Sequence, residues 1–272
     1  MGWGLSESSS INLIKAHAYG NDFLLVSAAD LKGDPAAFAR QVCDRHRGIG
    51  ADGLILLRQS THDGRMDLLN ADGSASEISG NGLRCVAALL AVRQDLSPGA
   101  CMVIDTDAGP KTLQLLERDD RRLTFAAEMG PPTDLREVDL TVGDAAVRAV
   151  VLRVGNPQCV VLGPATEDRL HQFGHALATH SYFPEGTNVE FAEVVTPEEV
   201  RILIWERGVG PTESSGTGTC AAAVAAAAFG GAERSLDVVS PGGRQHVDWH
   251  DAGLRLTGWA EITAATVWWP AG

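Results

Sequence analysis

The chain has 272 residues, 22 of them Lys or Arg and 35 Asp or Glu, for a formal net charge of −13. That length suits one large domain or two smaller ones with proper cores, and so acidic a balance argues against a nucleic-acid or anionic-membrane partner, both of which need basic patches. A small molecule is the expected partner.

The cysteines (Cys43, Cys85, Cys101, Cys159 and Cys220) are odd in number, widely spaced and without CxxC or CxxH patterning. Neither a disulfide framework nor a zinc site is indicated, no metal is expected, and all five read as core residues. The first ten residues, MGWGLSESSS, carry no basic or apolar segment and read as a flexible tail, not a secretory signal. The longest apolar run, Cys220 to Phe229, is too short to cross a bilayer. A cytoplasmic protein is expected.

In chain order, Ile11 to His17 and Phe23 to Ser27 read as short strands around a turn at Ala18 to Asp22. Asp34 to Asp44 reads as a helix opened by Asp34-Pro35. Arg45 to Gly53 is a loop dense in glycine and charge. Leu54 to Arg58 and Met66 to Asn70 form a hairpin around His62-Asp63-Gly64, and Val103 to Thr106, Thr112 to Glu117 and Leu123 to Glu128 complete a mostly antiparallel sheet. Met129-Gly130-Pro131-Pro132 is the clearest break, which places one domain at 11–130 and the second at 131–259. The second half has strands at Ala146 to Val154 and Cys159 to Leu162, a helix at Asp168 to His180, and strands at Asn188 to Val195, Val200 to Glu206, Val238 to Ser240, Gln245 to Trp249 and Leu254 to Trp259. A last strand, Ile262 to Trp268, is expected to return to the first sheet.

Two segments organise this plan. Asn70 to Val92 contains Ser79-Gly80-Asn81-Gly82 ahead of an apolar helix-forming run, so Ser79 stands where a helix begins. Glu213 to Phe229 repeats the construction with Ser215 before Gly216-Thr217-Gly218, and 215 − 79 = 136 is half the chain. Gly20-Asn21 recurs as Gly155-Asn156, and 156 − 21 = 135. One such turn is an ordinary cap, but two at a half-chain offset signal an internal repeat. The first-turn amides of each helix, with the positive end of its dipole, offer a seat for a carboxylate or phosphate.

Seven segments in order closely resemble the diaminopimelate epimerase family: HAYGNDF (17–23), CDRHRGIGADG (43–53), Asn70 to Cys85, GNPQCV (155–160), FPEGTNVEF (183–191), WERGVGPTESSGTGTCAAA (205–223) and SPGG (240–243). The resemblance implies an α/β (α+β) fold of two pseudo-symmetric domains, each a mostly antiparallel sheet wrapped round a central helix. It further implies cofactor-independent epimerisation of an amino acid, diaminopimelate, in lysine and peptidoglycan synthesis, and a homodimer. Carried over by motif, Asn21, Asn70, Asn156, Asn188 and Arg207 grip the distal end of the substrate. Glu206 contacts the α-ammonium, and the amides of Gly80, Asn81, Gly216 and Thr217 hold the α-carboxylate. An α-proton is weakly acidic, and without a cofactor as electron sink the carbanion-like transition state must be stabilised by fixed dipoles.

The chain departs from that pattern where the chemistry is done. The family carries cysteines at the positions of Ser79 and Ser215, a thiolate that removes the proton and a thiol that returns one. A thiol is readily tuned to thiolate at a helix N-terminus, whereas a serine hydroxyl needs an adjacent base. The chain as written is expected to be a very poor epimerase. Gln158 replaces a family histidine and cannot titrate. Three readings compete: a deliberate pair of isosteric cysteine-to-serine changes, a natural relative that binds or uses other chemistry, and a serine enzyme with an unidentified base. The first is favoured because only the two catalytic positions are struck, although Gln158 pulls the other way. Glu77 and Glu213, each two positions before its serine, are candidate bases, with helix-dipole complementation the blander role. A phenazine-type isomerase needs a carboxylate and histidine for which no motif is present, whereas proline and histidine racemases share the twin-cysteine logic.

Overall fold

The computed structural model describes residues 10–76 and 78–269, so most of the expected N-terminal tail and Glu77 lie outside the described residues. By internal contacts the chain divides into two compact units, one formed by residues up to Phe125 together with those from Trp259 onward, the other by Ala126–Gly258.

The first unit contains β1 (Ile11–Ala18), β2 (Asn21–Ser27), α1 (Pro35–Val42), β3 (Gly53–Arg58), β4 (Gly64–Asn70), β5 (Ala75–Ser76), α2 (Gly80–Arg93), β6 (Cys101–Asp105) and β7 (Lys111–Asp119). Strand β8 (Arg122–Gly130) leaves it for the second unit, which holds β9 (Thr133–Val142), β10 (Ala145–Val154), β11 (Asn156–Leu162), α3 (Glu167–Ala178), β12 (Asn188–Thr196), β13 (Glu199–Glu206), β14 (Gly210–Thr212), α4 (Gly216–Phe229), β15 (Ser235–Ser240) and β16 (Gly243–His250). The chain returns to the first unit within β17 (Gly253–Trp268). There β17 pairs antiparallel with β1 from Ile11↔Trp268 to His17↔Glu261, and β1 pairs with β2 through a two-residue turn at Tyr19-Gly20. Both turn residues have positive φ, 55° and 85°, the backbone that matches the twist of a tight hairpin.

The sheets are mixed in a regular way. Hairpins supply antiparallel pairs, but β2–β3, β4–β6, β11–β12 and β13–β15 are parallel. Parallel neighbours need a crossover, and α1, α2, α3 and α4 are those crossovers in turn. Covered on both faces, β2 is buried at five consecutive positions, Asp22 to Val26. Leu24, Val26, Leu54 and Leu56 pack with Ala39 and Val42 of α1. The opposite face carries Phe23 and Ile55, against which Gly82 of α2 is seated. Unit two repeats the arrangement: Cys159, Val161, Val189 and Phe191 pack with Leu170 and Leu177 of α3, while Val160, Ala192, Ile202 and Ile204 pack with the alanine-rich α4. A helix apolar all round can exist only buried, and in α4 every residue from Gly218 to Ala226 is.

Three features differ from the sequence-based expectation. Strand β9 forms where nothing is expected, because Pro131 and Pro132 break the chain for only two residues and TDLREVDLTV, largely exposed, lacks a clean alternation. The last two expected strands are one, β17, with a register shift opposite Lys15 and Ala16. Cys101 is exposed at the start of β6, contrary to its core assignment, whereas the other four cysteines are buried. Among the described residues no helix is long and apolar enough to cross a membrane.

Candidate active site

In the first unit the site residues collect at one end of the sheet. Asn21 opens β2, Asn70 closes β4 opposite Gly53, and Gly53 pairs with Phe23. Ser79 caps α2 at that same end, its Oγ accepting from the Gly82 amide at 3.1 Å. The amides of Gly80 and Asn81 belong to the first turn, which a helix leaves without internal partners. Asn70 donates from Nδ2 to Ser74 Oγ at 2.9 Å and is exposed.

A directional relay fixes the two inner asparagines. Arg84, buried and stacked 5.6 Å from the centre of the Tyr19 ring, donates to Asn81 Oδ1 at 2.8 Å. Asn81 Nδ2 donates to Asn21 Oδ1 at 3.3 Å, and Asn21 Nδ2 donates to Asp52 Oδ2 at 2.8 Å. Asp52 is held by Arg45 at 2.7 Å, and Arg45 also grips Asp22, which Lys15 approaches at 2.9 Å. Burial alone would raise the Asp22 carboxyl, but Arg45 and Lys15 outweigh it and hold the carboxyl below the usual range.

The second unit gathers the corresponding set. Asn156 opens β11, Asn188 opens β12 opposite Gln158, and Glu206 closes β13. Since 206 − 70 = 136, Glu206 stands where Asn70 stands in the first unit. Ser215 caps α4 and accepts from the Gly218 amide at 3.2 Å. Asn188 Oδ1 accepts from the Arg207 backbone amide at 2.9 Å, and the Arg207 guanidinium donates to the Glu185 carbonyl at 2.7 Å. Gly186 has φ +73° and lies where a Cβ would meet the Arg207 stem at 2.9 Å, so this loop and Arg207 are mutually fitted. Gln158 Nε2 donates to Asn156 Oδ1 at 2.6 Å. The candidate base Glu213 is exposed, and Glu77 lies outside the described residues.

Beneath α4 lies a group that the reading by motif passed over. Glu190 is fully buried, and a Cβ on Gly218 would collide with its Oε1. Gly218→Ala is therefore expected to cost about 1 to 3 kcal/mol, the usual range for overpacking. Gly82→Ala, whose Cβ would meet the Ile55 side chain at 3.1 Å, should cost less. Urea unfolding of both variants measures the order, and the reverse order would refute this account of why the third residue after each serine is glycine.

The sequence profile of the diaminopimelate epimerase family matches residues 13–135 and 150–263, taking in every site residue above. The chain belongs to the diaminopimelate epimerase family. It is 41% identical to diaminopimelate epimerase of Desulforudis audaxviator over 254 residues, covering 87% of this chain and 91% of that one. The corresponding protein of Heliobacterium modesticaldum is 37% identical over 265 residues, 90% of this chain and 94% of its own. Among solved structures, a phenazine biosynthesis protein from Bacillus anthracis superposes with a TM-score of 0.71 at 16% identity, covering 96% of this chain and 99% of its own. A hydroxyproline epimerase from Agrobacterium vitis gives 0.70 at 18%, over 96% of this chain and 91% of that one. At such identities these two carry the fold alone. As a member of this epimerase family the chain is an isomerase by class, and its sheet-dominated two-unit α+β fold is the one the resemblance implied. The family motifs also held a signal for the residues first passed over: Asp22 lies in GNDF, Asp52 in GADG and Glu190 in NVEF.

Proposed function

We propose that the chain binds diaminopimelate on the scaffold that interconverts its LL and meso isomers, with Ser79 and Ser215 at the two acid/base positions. The observation that supports this most is the joint survival of Asn21, Asn70, Asn156, Asn188, Glu206 and Arg207 in a chain matched by the family profile over nearly its whole length. In this reading the asparagines and Arg207 take the distal amino-acid end, Glu206 takes the α-ammonium, and the first-turn amides of α2 and α4 take the α-carboxylate. Those amides stabilise negative charge as it develops on loss of the α-proton, so no cofactor is needed.

Inversion requires one proton-transfer group on each face of Cα, the two roles that this reading gives to the positions of Ser79 and Ser215. The serine hydroxyls, each accepting a hydrogen bond at its helix cap, have no base on them among the described residues, which favours binding without turnover. Lysine and peptidoglycan synthesis, a cytoplasmic location and a homodimer go with the same reading.

Calorimetry with LL- and meso-diaminopimelate tests it. Measurable binding of at least one isomer is expected, and no heat with either would refute the substrate assignment. Arg207→Ala should weaken that binding by about 2 to 4 kcal/mol, roughly 30- to 1,000-fold in Kd, because a desolvated carboxylate would lose its charged partner. Unchanged affinity would remove Arg207 from the site.

A further inference from the structure

In the second unit Oε1 of Gln158 and both carboxyl oxygens of Glu190 are buried and have no hydrogen-bond donor among the described residues. Both residues are wholly excluded from solvent, where an unsatisfied oxygen is costly. They are neighbours by register. Strands β11 and β12 run parallel with Gln158 opposite Asn188 and Val160 opposite Glu190. By alternation Gln158 and Glu190 share the face that Val160 and Ala192 present to α4.

Among the described residues, no cation figures in the surroundings of Glu190. From β13 comes Glu206, whose charge disfavours a second anion. Strand β11 contributes Cys159, buried on its other face, with its thiol pushed up by burial. The first turn of α4 contributes Gly218, seated against the Glu190 carboxyl, with the cap residue Ser215 beside it. Burial first, and then Glu206, push the Glu190 carboxyl well above the usual carboxylate range.

We propose that Glu190 is a neutral carboxylic acid whose O–H donates to Oε1 of Gln158, and that through Gln158 it is the positioning residue for the Asn156 amide. One proton supplies the donor that no described group gives to these three oxygens. Its location then decides the direction of every bond that follows. With Oε1 of Gln158 accepting from Glu190, the Gln158 NH2 must face Asn156 Oδ1, as it does at 2.6 Å. Asn156 then keeps its own NH2 to offer to a ligand carboxylate. An ionised Glu190 would draw the Gln158 NH2 toward itself, turn the Gln158 oxygen onto Asn156, and flip the Asn156 amide in consequence. Asn21, the half-chain counterpart of Asn156, is fixed from the other side by Asp52, which carries Arg45 on its carboxyl.

The use of Asn156 for a ligand rests on the proposed substrate; the proton on Glu190 does not. Infrared difference spectroscopy of the full chain at neutral pH, wild type against Glu190→Gln, should show a protonated carboxyl band that shifts in D2O and is missing from the variant. Glu190→Gln should also become increasingly more stable than wild type as pH rises from about 4 to 8. Over that range the unfolded Glu190 releases its proton while the folded one keeps it, so wild-type stability declines with pH and the glutamine variant is spared. In calorimetry with diaminopimelate, Glu190→Gln retains a donor and should bind within about threefold of wild type, whereas Glu190→Leu should bind roughly tenfold more weakly.

Absence of the band in wild type, its persistence in Glu190→Gln, or full affinity in Glu190→Leu would overturn the proposal. Should Glu190→Leu not fold, the band and the pH-dependent stability difference still decide it. A wild type that shows the band yet binds neither isomer would refute the substrate reading and leave the neutral acid and its bond to Gln158 standing.

Discussion

Replacing Ser79 and Ser215 together by cysteine is expected to switch on Cα proton exchange and isomer interconversion, by at least about a thousandfold over the serine form, since a positioned acid or base contributes ~10²- to 10⁴-fold. The helix starts that would tune a thiol are already built: each serine caps its helix in extended backbone, with φ of −128° at Ser79 and −141° at Ser215. A thiol placed there meets the positive end of a helix dipole, the setting that lowers a cysteine pKa. Either single replacement should fail to invert, because removal on one face needs delivery on the other. One cysteine alone can still wash in deuterium, so exchange and inversion are to be followed separately. Residues that act as a unit are strongly non-additive, and the double variant should far exceed the product of the singles. If the double variant stays silent until Gln158→His is added, the site has diverged beyond its two serines. If all three changes leave exchange and inversion at background while diaminopimelate still binds, only the binding-protein reading survives.

Asp22→Ala is expected to destabilise the first unit by about 1 to 3 kcal/mol at neutral pH, the cost of removing the one buried anion from a partly exposed ion network. Asp22 receives Arg45 at 2.7 Å, Lys15 at 2.9 Å and the Asp52 amide at 3.1 Å, so its loss takes one acceptor from each and leaves Arg45 to Asp52, Lys15 to the Gly50 carbonyl and the Asp52 amide to the backbone carbonyl of residue 22. Part of the loss is screened because the Arg45 side chain is 54% exposed, which keeps the figure below that of a dry pair. The sign with pH follows from the depressed carboxyl. At a pH above the unfolded value both states are ionised and the network contributes in full. As pH falls below the unfolded value the unfolded chain takes up the proton first, and the contribution is lost on passing down through the folded value. Urea unfolding at neutral and acid pH should show wild type and Asp22→Ala converging in acid. A difference that is constant with pH would show that the cost is packing alone.

Much of this protein is determined by local sequence. The helix starts are written in short-range chemistry: Asp34 ahead of Pro35, with its carboxylate accepting from Ala36 and Ala37 at 3.0 and 3.2 Å, and the serine-glycine turns at 79–82 and 215–218. The half-chain repeat of those turns implied the two-unit plan, because identical local patterns bury identical faces. The family motifs contained Asn21, Asn70, Asn156, Asn188, Glu206 and Arg207, the residues proposed to hold the ligand. Only the tertiary structure decided the parallel pairs β2–β3 and β11–β12, since a strand's own residues do not encode its neighbour's direction. It also decided β9, whose residues gain order from β10 beside them. The supporting groups are of that second kind. Asp52 reaches Asn21 across 31 positions and Arg45 reaches Asp22 across 23. Glu190 acquires its character from burial against Gly218, 28 positions away, and from the charge of Glu206. Hydrogen-bond direction and desolvation depend on what surrounds a side chain in space, and for these residues that environment is assembled only when distant strands and helices meet.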